Sequence, residues 1–195
     1  MSTLSRRKTA YHHGDLRSAL LLAAADVMEK QGLKALTLRY VARRAGVSHN
    51  APYRHFKDRN ALLAALAEKG FRDLGNALKG KPGIRMGEAY VRFGLAHPAR
   101  FRLMFGGSLR LSDHPALREA SGLAYEALLR AVRARQDLPN PEIAAAAAWS
   151  LVHGLGNLLL DGHFESTTRG GVEIERFAKQ VLGSIRFAGA VQRSA

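Results

Sequence analysis

The stretch that decides the fold is TLRYVARRAGVSHNAPYRHF, residues 37–56, which contains the signals of two short helices joined by a tight turn. Thr37 is a preferred N-cap for the first helix, and Gly46 favours its end because glycine readily adopts the left-handed backbone conformation. Ser48 is a preferred N-cap for the second helix, where Pro52 comes early enough for its missing N–H to remove little hydrogen bonding. Two short helices around a glycine-containing turn predict a helix-turn-helix.

Positive charge is concentrated in and around this stretch. Residues 1–80 carry 15 Lys and Arg against 6 Asp and Glu, a net +9, and the whole chain of 195 residues has a net charge of +14. A surface of this sign attracts a polyanion and raises its rate of association. We therefore expect a polyanionic partner that meets the N-terminal part of the chain.

The rest of the chain also has the periodicity of helices. Apolar residues recur at about one helical turn, whereas the alternating runs and hairpin dipeptides typical of strands are scarce. The sequence predicts an all-α fold of about nine helices, the first beginning near Leu16. Beyond the helix-turn-helix we place helices at residues 59–78, 84–96, 99–105, 115–138, 141–160 and 174–190.

These helices suggest two domains. We assign residues 1–58 to a three-helix N-terminal domain that contains the helix-turn-helix, and residues 59–195 to a larger helical domain. The helix at 59–78 connects them, and Gly80-Lys81-Pro82-Gly83 is the clearest interruption that follows it.

Several classes of function are disfavoured by what the sequence lacks. Without cysteine the chain has no disulfide, Cys-ligated zinc or Cys nucleophile, and signatures such as Gly-x-Ser-x-Gly and His-Glu-x-x-His are missing. We expect no enzyme, no metal and no cofactor. The apolar run 143–160 is interrupted by Ser150, His153 and Asn157, so we expect a buried helix, no membrane span and a cytoplasmic protein.

The segment from residue 37 to residue 62 resembles the DNA-binding signature of the TetR family of transcriptional regulators. The matching positions are Thr37, Val41, Ala42, Ala45-Gly46-Val47-Ser48, Tyr53-Arg54-His55-Phe56, Arg59 and Leu62. The chain departs from the pattern at Pro52, where many members have a small or aliphatic residue, and at Arg59, where Lys is more usual. In the C-terminal half, HPARFRLMF at residues 97–105 and Trp149 with His153-Gly154 resemble the Trp-His-Gly (WHG) subgroup.

This resemblance implies a regulator, most commonly a repressor, that binds a palindromic double-stranded DNA operator as a homodimer. Residues 48–56 would form the recognition helix in the major groove, with Asn50 placed to pair with adenine and Ala51 to pack on a thymine methyl. Thr37, Tyr53, His55 and Arg59 would contact phosphates. The full set of implied DNA-contacting residues is Thr37, Arg39, Arg43, Ser48, His49, Asn50, Ala51, Tyr53, His55, Lys57 and Arg59.

The same resemblance implies that the C-terminal domain dimerises and binds a small-molecule effector. The helices at 141–160 and 174–190 would form the dimer contact, where the small residues Ala144, Ala145, Ala148 and Gly156 permit close approach. A bound effector would favour a dimer geometry that no longer fits the operator. The candidate pocket residues are aromatic or otherwise apolar, with one histidine: Phe93, Phe101, Met104, Phe105, Tyr125, Trp149 and His153.

Some of these assignments have alternatives. Tyr53 and His55 can be purely structural, and aromatic residues at helical spacing are more often core than cavity. For His153 we favour a buried structural role over a ligand contact. A nonspecific architectural DNA binder would share the positive charge, but it would not need so large an apolar C-terminal part.

Overall fold

Every regular element is helical in the part of the chain that the computed structural model describes, residues 16–135, 138–168 and 171–184. Within these ranges there are eight α-helices and three 3₁₀ helices, the latter at Leu33–Ala35, Ala51–Arg54 and Leu111–Asp113. The α-helices are α1 (Leu16–Gln31), α2 (Leu38–Arg44), α3 (Arg59–Leu78), α4 (Gly83–Ala96), α5 (Pro98–Phe105), α6 (Pro115–Arg133), α7 (Pro141–Leu160) and α8 (Gly171–Ser184). The predicted all-α fold is confirmed.

The chain divides into two compact units, residues 1–62 and 63–195, and the division falls inside α3. We expected the boundary between residues 58 and 59. Helix α3 itself has the predicted bounds, and Asp58 caps it by accepting a hydrogen bond from the Ala61 amide at 2.8 Å. The first turn of α3 therefore belongs to the N-terminal unit.

In the N-terminal unit, α1 packs against α2 and against the 3₁₀ helix Leu33–Ala35. Apolar side chains that recur at about one helical turn make these contacts, the pattern that buries one face of a helix. The buried residues include Leu20, Ala24, Val27, Met28, Leu36, Val41, Ala42, Pro52 and Phe56. Full burial of a Leu, Val or Phe side chain contributes about 1.5–3 kcal/mol, so this core stabilises the segment that carries the basic residues.

Helix α2 ends in a tight turn at Gly46, whose φ of +71° lies in the left-handed region. The Val47 amide donates to the Ala42 carbonyl at 3.0 Å, and the Gly46 amide donates to the Arg43 carbonyl at 3.2 Å. These two bonds form a Schellman motif, which usually requires glycine because a Cβ disfavours this conformation. Gly46 thus forms the turn that the sequence predicts there.

The second helix of the predicted pair differs from our expectation of a helix over residues 48–56. The structure has instead a 3₁₀ helix, Ala51–Arg54, and the Ala51 amide donates to the Ser48 carbonyl at 2.9 Å. Pro52 explains the difference, since proline disfavours the α conformation of the residue before it and cannot donate to the carbonyl four residues earlier. The segment is therefore a series of tight turns rather than an α-helix.

The C-terminal unit is built around contacts of α4 with α7 and α8. One buried apolar cluster joins these three helices and consists of Val91, Leu155, Leu159, Ala178 and Leu182. A second cluster joins α6 to α7 through Leu129, Val132 and Ala145. Helix α5 adds Phe101, which is fully buried because Gly94 leaves room for its ring: a Cβ at Gly94 would lie 3.2 Å from it.

Two predicted helices differ from the observed ones by more than one residue at an end. Helix α6 stops at Arg133 instead of residue 138, and Leu138 precedes Pro139, which disfavours helical backbone there. Helix α8 begins at Gly171, before the predicted residue 174. Residues 185–190 of the predicted helix 174–190 lie outside the described residues.

Helix α7 is the one helix in the described ranges that is long and apolar enough to cross a membrane by composition. Only 22% of its most apolar window is buried within the chain. The sequence predicted a buried helix here, whereas the single chain leaves most of this apolar window unburied.

Candidate nucleic-acid interface and ligand cavity

Three polar residues of the turn after α2 are exposed between buried neighbours. Ser48, His49 and Asn50 face solvent, whereas Ala42 before them and Pro52 after them are buried. The Ser48 hydroxyl accepts a hydrogen bond from the Asn50 amide at 3.4 Å, and the Asn50 side chain does not cap the 3₁₀ helix. An exposed carboxamide on a well-anchored backbone offers both donors and an acceptor to a partner.

Hydroxyl and ring groups lie on either side of this turn. Thr37 is exposed at the start of α2, where its Oγ1 accepts a hydrogen bond from the Tyr40 amide at 3.1 Å, so its own O–H remains a donor. Tyr53 is 49% exposed, an unusual degree for a large aromatic residue. His55 is also exposed, and Ala51 is half-buried.

The arginines of α2 differ in their contacts. Arg39 and Arg43 are exposed, and the Arg43 guanidinium lies 4.7 Å from the centre of the Tyr40 ring. Arg44 instead forms a 2.8 Å ion pair with Asp26, which Lys30 also contacts at 2.6 Å. The hydrogen bonds from Lys30 and Arg44 lower the pKa of the Asp26 carboxyl below its ordinary value. The charge of Arg44 is thus compensated within the unit.

Arg59, predicted at the DNA, is half-buried and bound to the backbone of its own unit. Its Nε donates to the Leu36 carbonyl at 2.8 Å, and an Nη donates to the Leu33 carbonyl at 2.6 Å. These bonds tie the start of α3 to the connection between α1 and α2. A guanidinium has five N–H donors, so donors remain for another partner, and Lys57 nearby in sequence is exposed.

The C-terminal unit contains a partly open cavity of about 970 Å³. Helices α3, α4, α6 and α7 supply most of its wall, with apolar side chains such as Leu74, Met86, Leu128 and Val152. A volume in this range is typical of sites for small organic molecules. No Asp or Glu lies in the described wall, whereas Lys81 and Arg135 do.

The wall contains three of the seven predicted pocket residues, Phe105, Tyr125 and Trp149. The other four, Phe93, Phe101, Met104 and His153, lie outside the wall of this cavity. Phe101 is buried in the core, and Phe93 packs against the ring of His97. Met104 lies so close to Gly70 that a Cβ atom on residue 70 would clash with its sulfur. An aromatic side chain on an apolar helix face fits a core and a cavity equally well, and sequence spacing did not separate the two.

Tyr90 lines the cavity and was missed in the sequence, although it lies one helical turn before Phe93. Its hydroxyl accepts a hydrogen bond from the Trp149 indole Nε1 at 3.1 Å and lies 2.9 Å from Nδ1 of His153. On the other side of that ring, Nδ2 of Asn157 lies 3.0 Å from Nε2 of His153. Trp149, His153 and Tyr90 therefore form one polar network behind the cavity wall.

Burial governs the ionisation of this network. It raises the pKa of the Tyr90 hydroxyl, against the opposite effect of the hydrogen bond from Trp149. It lowers the pKa of His153, because an imidazolium loses solvation when it is half-buried. At neutral pH the tyrosine therefore keeps its proton and the histidine ring is neutral.

The outer face of α7 is formed by small or apolar residues at helical spacing. Ile143, Ala146, Ala147 and Leu158 are exposed, and a Cβ at Gly154 would meet nothing within 4 Å. The small residues that we expected there lie elsewhere: Ala145 and Gly156 are buried, and Ala144 and Ala148 line the cavity. In the described ranges, no group of three or more His, Cys, Asp or Glu residues could hold a metal ion.

Two family models match the chain. The model described as bacterial regulatory proteins of the tetR family matches residues 20–66, and the model described as the tetracyclin repressor-like C-terminal domain matches residues 84–183. The first covers the turn at Gly46 and its flanking helices, and the second covers most of the cavity wall. The second match alone extends over about half of the chain.

Similarity to individual curated proteins extends over about a quarter to a third of the chain. Tetracycline repressor protein class C from Escherichia coli is 44% identical over 52 residues, which are 27% of this chain and 24% of the repressor. The uncharacterized HTH-type transcriptional regulator TtgW from Pseudomonas putida is 38% identical over 60 residues, 31% of this chain and 45% of that protein. The chain thus spans about a quarter of the tetracycline repressor and under half of TtgW.

Solved structures extend the similarity over nearly the whole chain. A protein of unknown function from Rhodococcus sp. RHA1 is 34% identical, with a TM-score of 0.74 over 90% of this chain and 97% of that one. The TetR family transcriptional regulator PfmR from Thermus thermophilus is 21% identical, with a TM-score of 0.58 over 86% of this chain and 93% of that one. At that identity, the second comparison supports the fold alone.

Proposed function

The chain belongs to the TetR family of bacterial regulatory proteins, and from this premise we propose that it is a repressor that binds a palindromic operator as a homodimer and is released by a small-molecule effector. As a member of this family it is a transcriptional regulator, and we propose that it has no enzymatic activity. We propose a cytoplasmic location, where the operator lies. The Trp149, His153 and Gly154 pattern on α7 supports a further assignment to the WHG subgroup.

The observation that carries the proposal is the exposed segment Ser48–Asn50, supported on both sides by buried residues. We propose that this segment enters the major groove, with the Asn50 carboxamide at a base edge and Ser48, His49 and Ala51 beside it. Asn can pair bidentately with adenine, and such a pair discriminates against a wrong base by about 1–3 kcal/mol.

Phosphate contacts would flank this segment. The exposed hydroxyls of Thr37 and Tyr53 can donate to phosphate oxygens, and His55 lies beside them in sequence. We propose that four basic residues supply positive charge to these contacts: Arg39, Arg43, Lys57 and Arg59. Arg59 would use the N–H groups that are not bonded to its own unit. Contacts of this kind fix orientation on the duplex but do not read sequence.

Dimerisation is required because one such reader spans too few base pairs for useful specificity. We propose that the dimer forms through α7 and the predicted helix 174–190, with the outer face of α7 against its copy. The support is that this face is apolar yet largely unburied in the single chain, and that small residues such as Ala147 and Gly154 permit close approach of two helices. We identify the occupant as a second copy of the chain because palindrome recognition needs one.

The cavity of about 970 Å³ is proposed as the effector site. Of the predicted ligand contacts, Phe105, Tyr125 and Trp149 are retained. An effector releases DNA only if it binds the released conformation more tightly than the DNA-bound one. Helix α3 contributes residues to the cavity wall and begins beside Lys57 and Asp58, so it is the element that we propose to transmit the change.

Two substitutions test the DNA assignment by fluorescence anisotropy on an operator duplex and on a random duplex. Asn50→Ala should reduce the preference for the operator by about tenfold, because a base contact is lost. Tyr53→Phe should weaken binding to both duplexes alike, because a phosphate contact is lost and the ring stays. Arg118→Ala, which replaces an exposed basic residue of α6, is the control and should change neither. If Asn50→Ala left the operator preference intact, the assignment of this segment to the groove would be wrong.

A further inference from the structure

The polar network behind the cavity wall contains two groups whose hydrogen-bonding roles are fixed. The backbone carbonyl of His153 can only accept, and the indole N–H of Trp149 can only donate. Three other groups lie between them: the Asn157 carboxamide, the His153 ring and the Tyr90 hydroxyl. The two fixed ends determine where every proton in this series lies.

The Asn157 carboxamide is oriented by the carbonyl. Its nitrogen lies 3.1 Å from the His153 carbonyl oxygen and 3.0 Å from Nε2 of the same residue. The opposite orientation would place two oxygens against each other at that distance. Nδ2 therefore donates one hydrogen to the carbonyl and the other to Nε2, so Nε2 of His153 is an acceptor.

The His153 ring then has its proton on the other nitrogen. A neutral imidazole carries one N–H, and with Nε2 accepting, that N–H is on Nδ1. Nδ1 lies 2.9 Å from the Tyr90 oxygen and donates to it. The Trp149 indole donates to the same oxygen at 3.1 Å, so the Tyr90 oxygen accepts two hydrogen bonds.

The proton of the Tyr90 hydroxyl is left to donate elsewhere. Among the described residues, His153 and Trp149 are the hydrogen-bond partners of this hydroxyl, and both are donors to it. Tyr90 lines the cavity. We propose that the Tyr90 hydroxyl donates a hydrogen bond to the ligand of this cavity. The ligand is then a largely apolar molecule, either uncharged or anionic, that places a carbonyl or another acceptor oxygen beside Tyr90.

The charge of the wall supports this class of ligand. Lys81 lies in the wall, and no acidic residue of the described wall offers a partner to a cation. Transfer of an unpaired cation into an apolar cavity is strongly unfavourable. The inference rests on the proposed role of this cavity as the effector site, and it deepens that role by naming the chemistry of the effector.

The position of the imidazole proton can be measured without any ligand. Long-range proton–nitrogen NMR correlations distinguish the two neutral tautomers of histidine, and His153→Gln identifies the signals of this ring. We expect the Nδ1–H tautomer at neutral pH. The Nε2–H tautomer would mean that Tyr90 donates to His153, and it would overturn the inference.

Ligand selectivity is tested with three probes of similar shape: fluorene, 9-fluorenone and the cation of 9-aminofluorene. Trp149 is the only tryptophan of the chain and lies in the wall, so its fluorescence reports binding directly. Tyr90→Phe should raise the Kd of fluorenone about fivefold, because it removes one hydrogen bond. It should change the Kd of fluorene less than twofold. The cation should bind more weakly than either.

Tyr125→Phe is the matched control, because it removes a hydroxyl from another tyrosine of the same wall. It should leave the preference of fluorenone over fluorene unchanged. Equal effects of Tyr90→Phe on both probes, a selective loss with Tyr125→Phe instead, or no binding of fluorenone would each overturn the inference. These measurements contain no DNA, so a failure to bind an operator would contradict the proposed function and leave this result standing.

Discussion

Replacement of Gly46 by alanine tests whether the left-handed turn after α2 positions the exposed segment that follows it. A Cβ at Gly46 would meet no atom within 4 Å, so any penalty is conformational and not steric. At a φ of +71°, a residue with a side chain is disfavoured by about 1–2 kcal/mol, and restriction of the unfolded chain by alanine offsets about 0.4–1 kcal/mol. We expect Gly46→Ala to destabilise the protein by about 1 kcal/mol.

Gly75→Ala is the matched control, because it makes the same chemical change within α3. Gly75 has ordinary helical geometry, and a Cβ there also meets nothing within 4 Å. Glycine inside a helix is less favourable than alanine by about 0.5–1 kcal/mol, so this substitution should stabilise by about that amount. The two variants are thus predicted to have opposite signs.

Urea denaturation measures both effects. Far-UV circular dichroism follows all helices, and the fluorescence of Trp149 follows the C-terminal unit alone. Asparagine tolerates the left-handed region, so Gly46→Asn should lose less stability than Gly46→Ala. If Gly46→Ala proved neutral or as stabilising as Gly75→Ala, the turn would not depend on positive φ and the reasoning would be refuted.

Three further predictions concern pH, packing and salt. Because the pKa of Asp26 is lowered in the fold, its carboxylate stabilises the protein above the ordinary carboxyl pKa of 3.8, and this contribution is lost as pH falls through the lowered pKa. Asp26→Asn should therefore make the free energy of unfolding less dependent on pH in the acid range. An unchanged dependence would contradict this prediction. Phe101→Ala should lower the free energy of unfolding, measured by urea denaturation, by about 3–5 kcal/mol. Leu123 is 51% exposed, so Leu123→Ala should lower it by less than about 0.5 kcal/mol. Similar losses for the two variants would refute the burial of Phe101. Lys57→Ala should reduce the slope of log affinity for DNA against log salt concentration by about 1, and an equal slope would remove Lys57 from the interface.

The sequence predicted the turn of the helix-turn-helix because that turn depends on local chemistry. Gly46 was identified from its permitted backbone conformation, and Thr37 from its side-chain oxygen, which does cap α2. The helix type of the following segment was not predicted correctly, because the effect of Pro52 on the residue before it was underestimated. Signals within a few residues were therefore reliable for turns and caps, and less so for helix type.

The cavity was harder to predict because its wall depends on how several helices pack. Phe101 and Phe105 lie one turn apart on α5, yet the first fills the core and the second lines the cavity. Tyr90 was missed because its role comes from partners 59 and 63 residues away in sequence, Trp149 and His153. Nothing in the spacing along one helix reports such distant contacts.

The central claim is that two copies of the exposed segment after Gly46 read a palindrome. It is tested most directly by selecting DNA from a pool of randomised duplexes with the purified protein at physiological salt and sequencing what is retained. The account predicts one enriched inverted repeat, with half-site centres about one helical turn, roughly 34–36 Å, or a multiple of it apart. Retention of DNA without enrichment of any motif, or enrichment of a single unrepeated half-site, would contradict it.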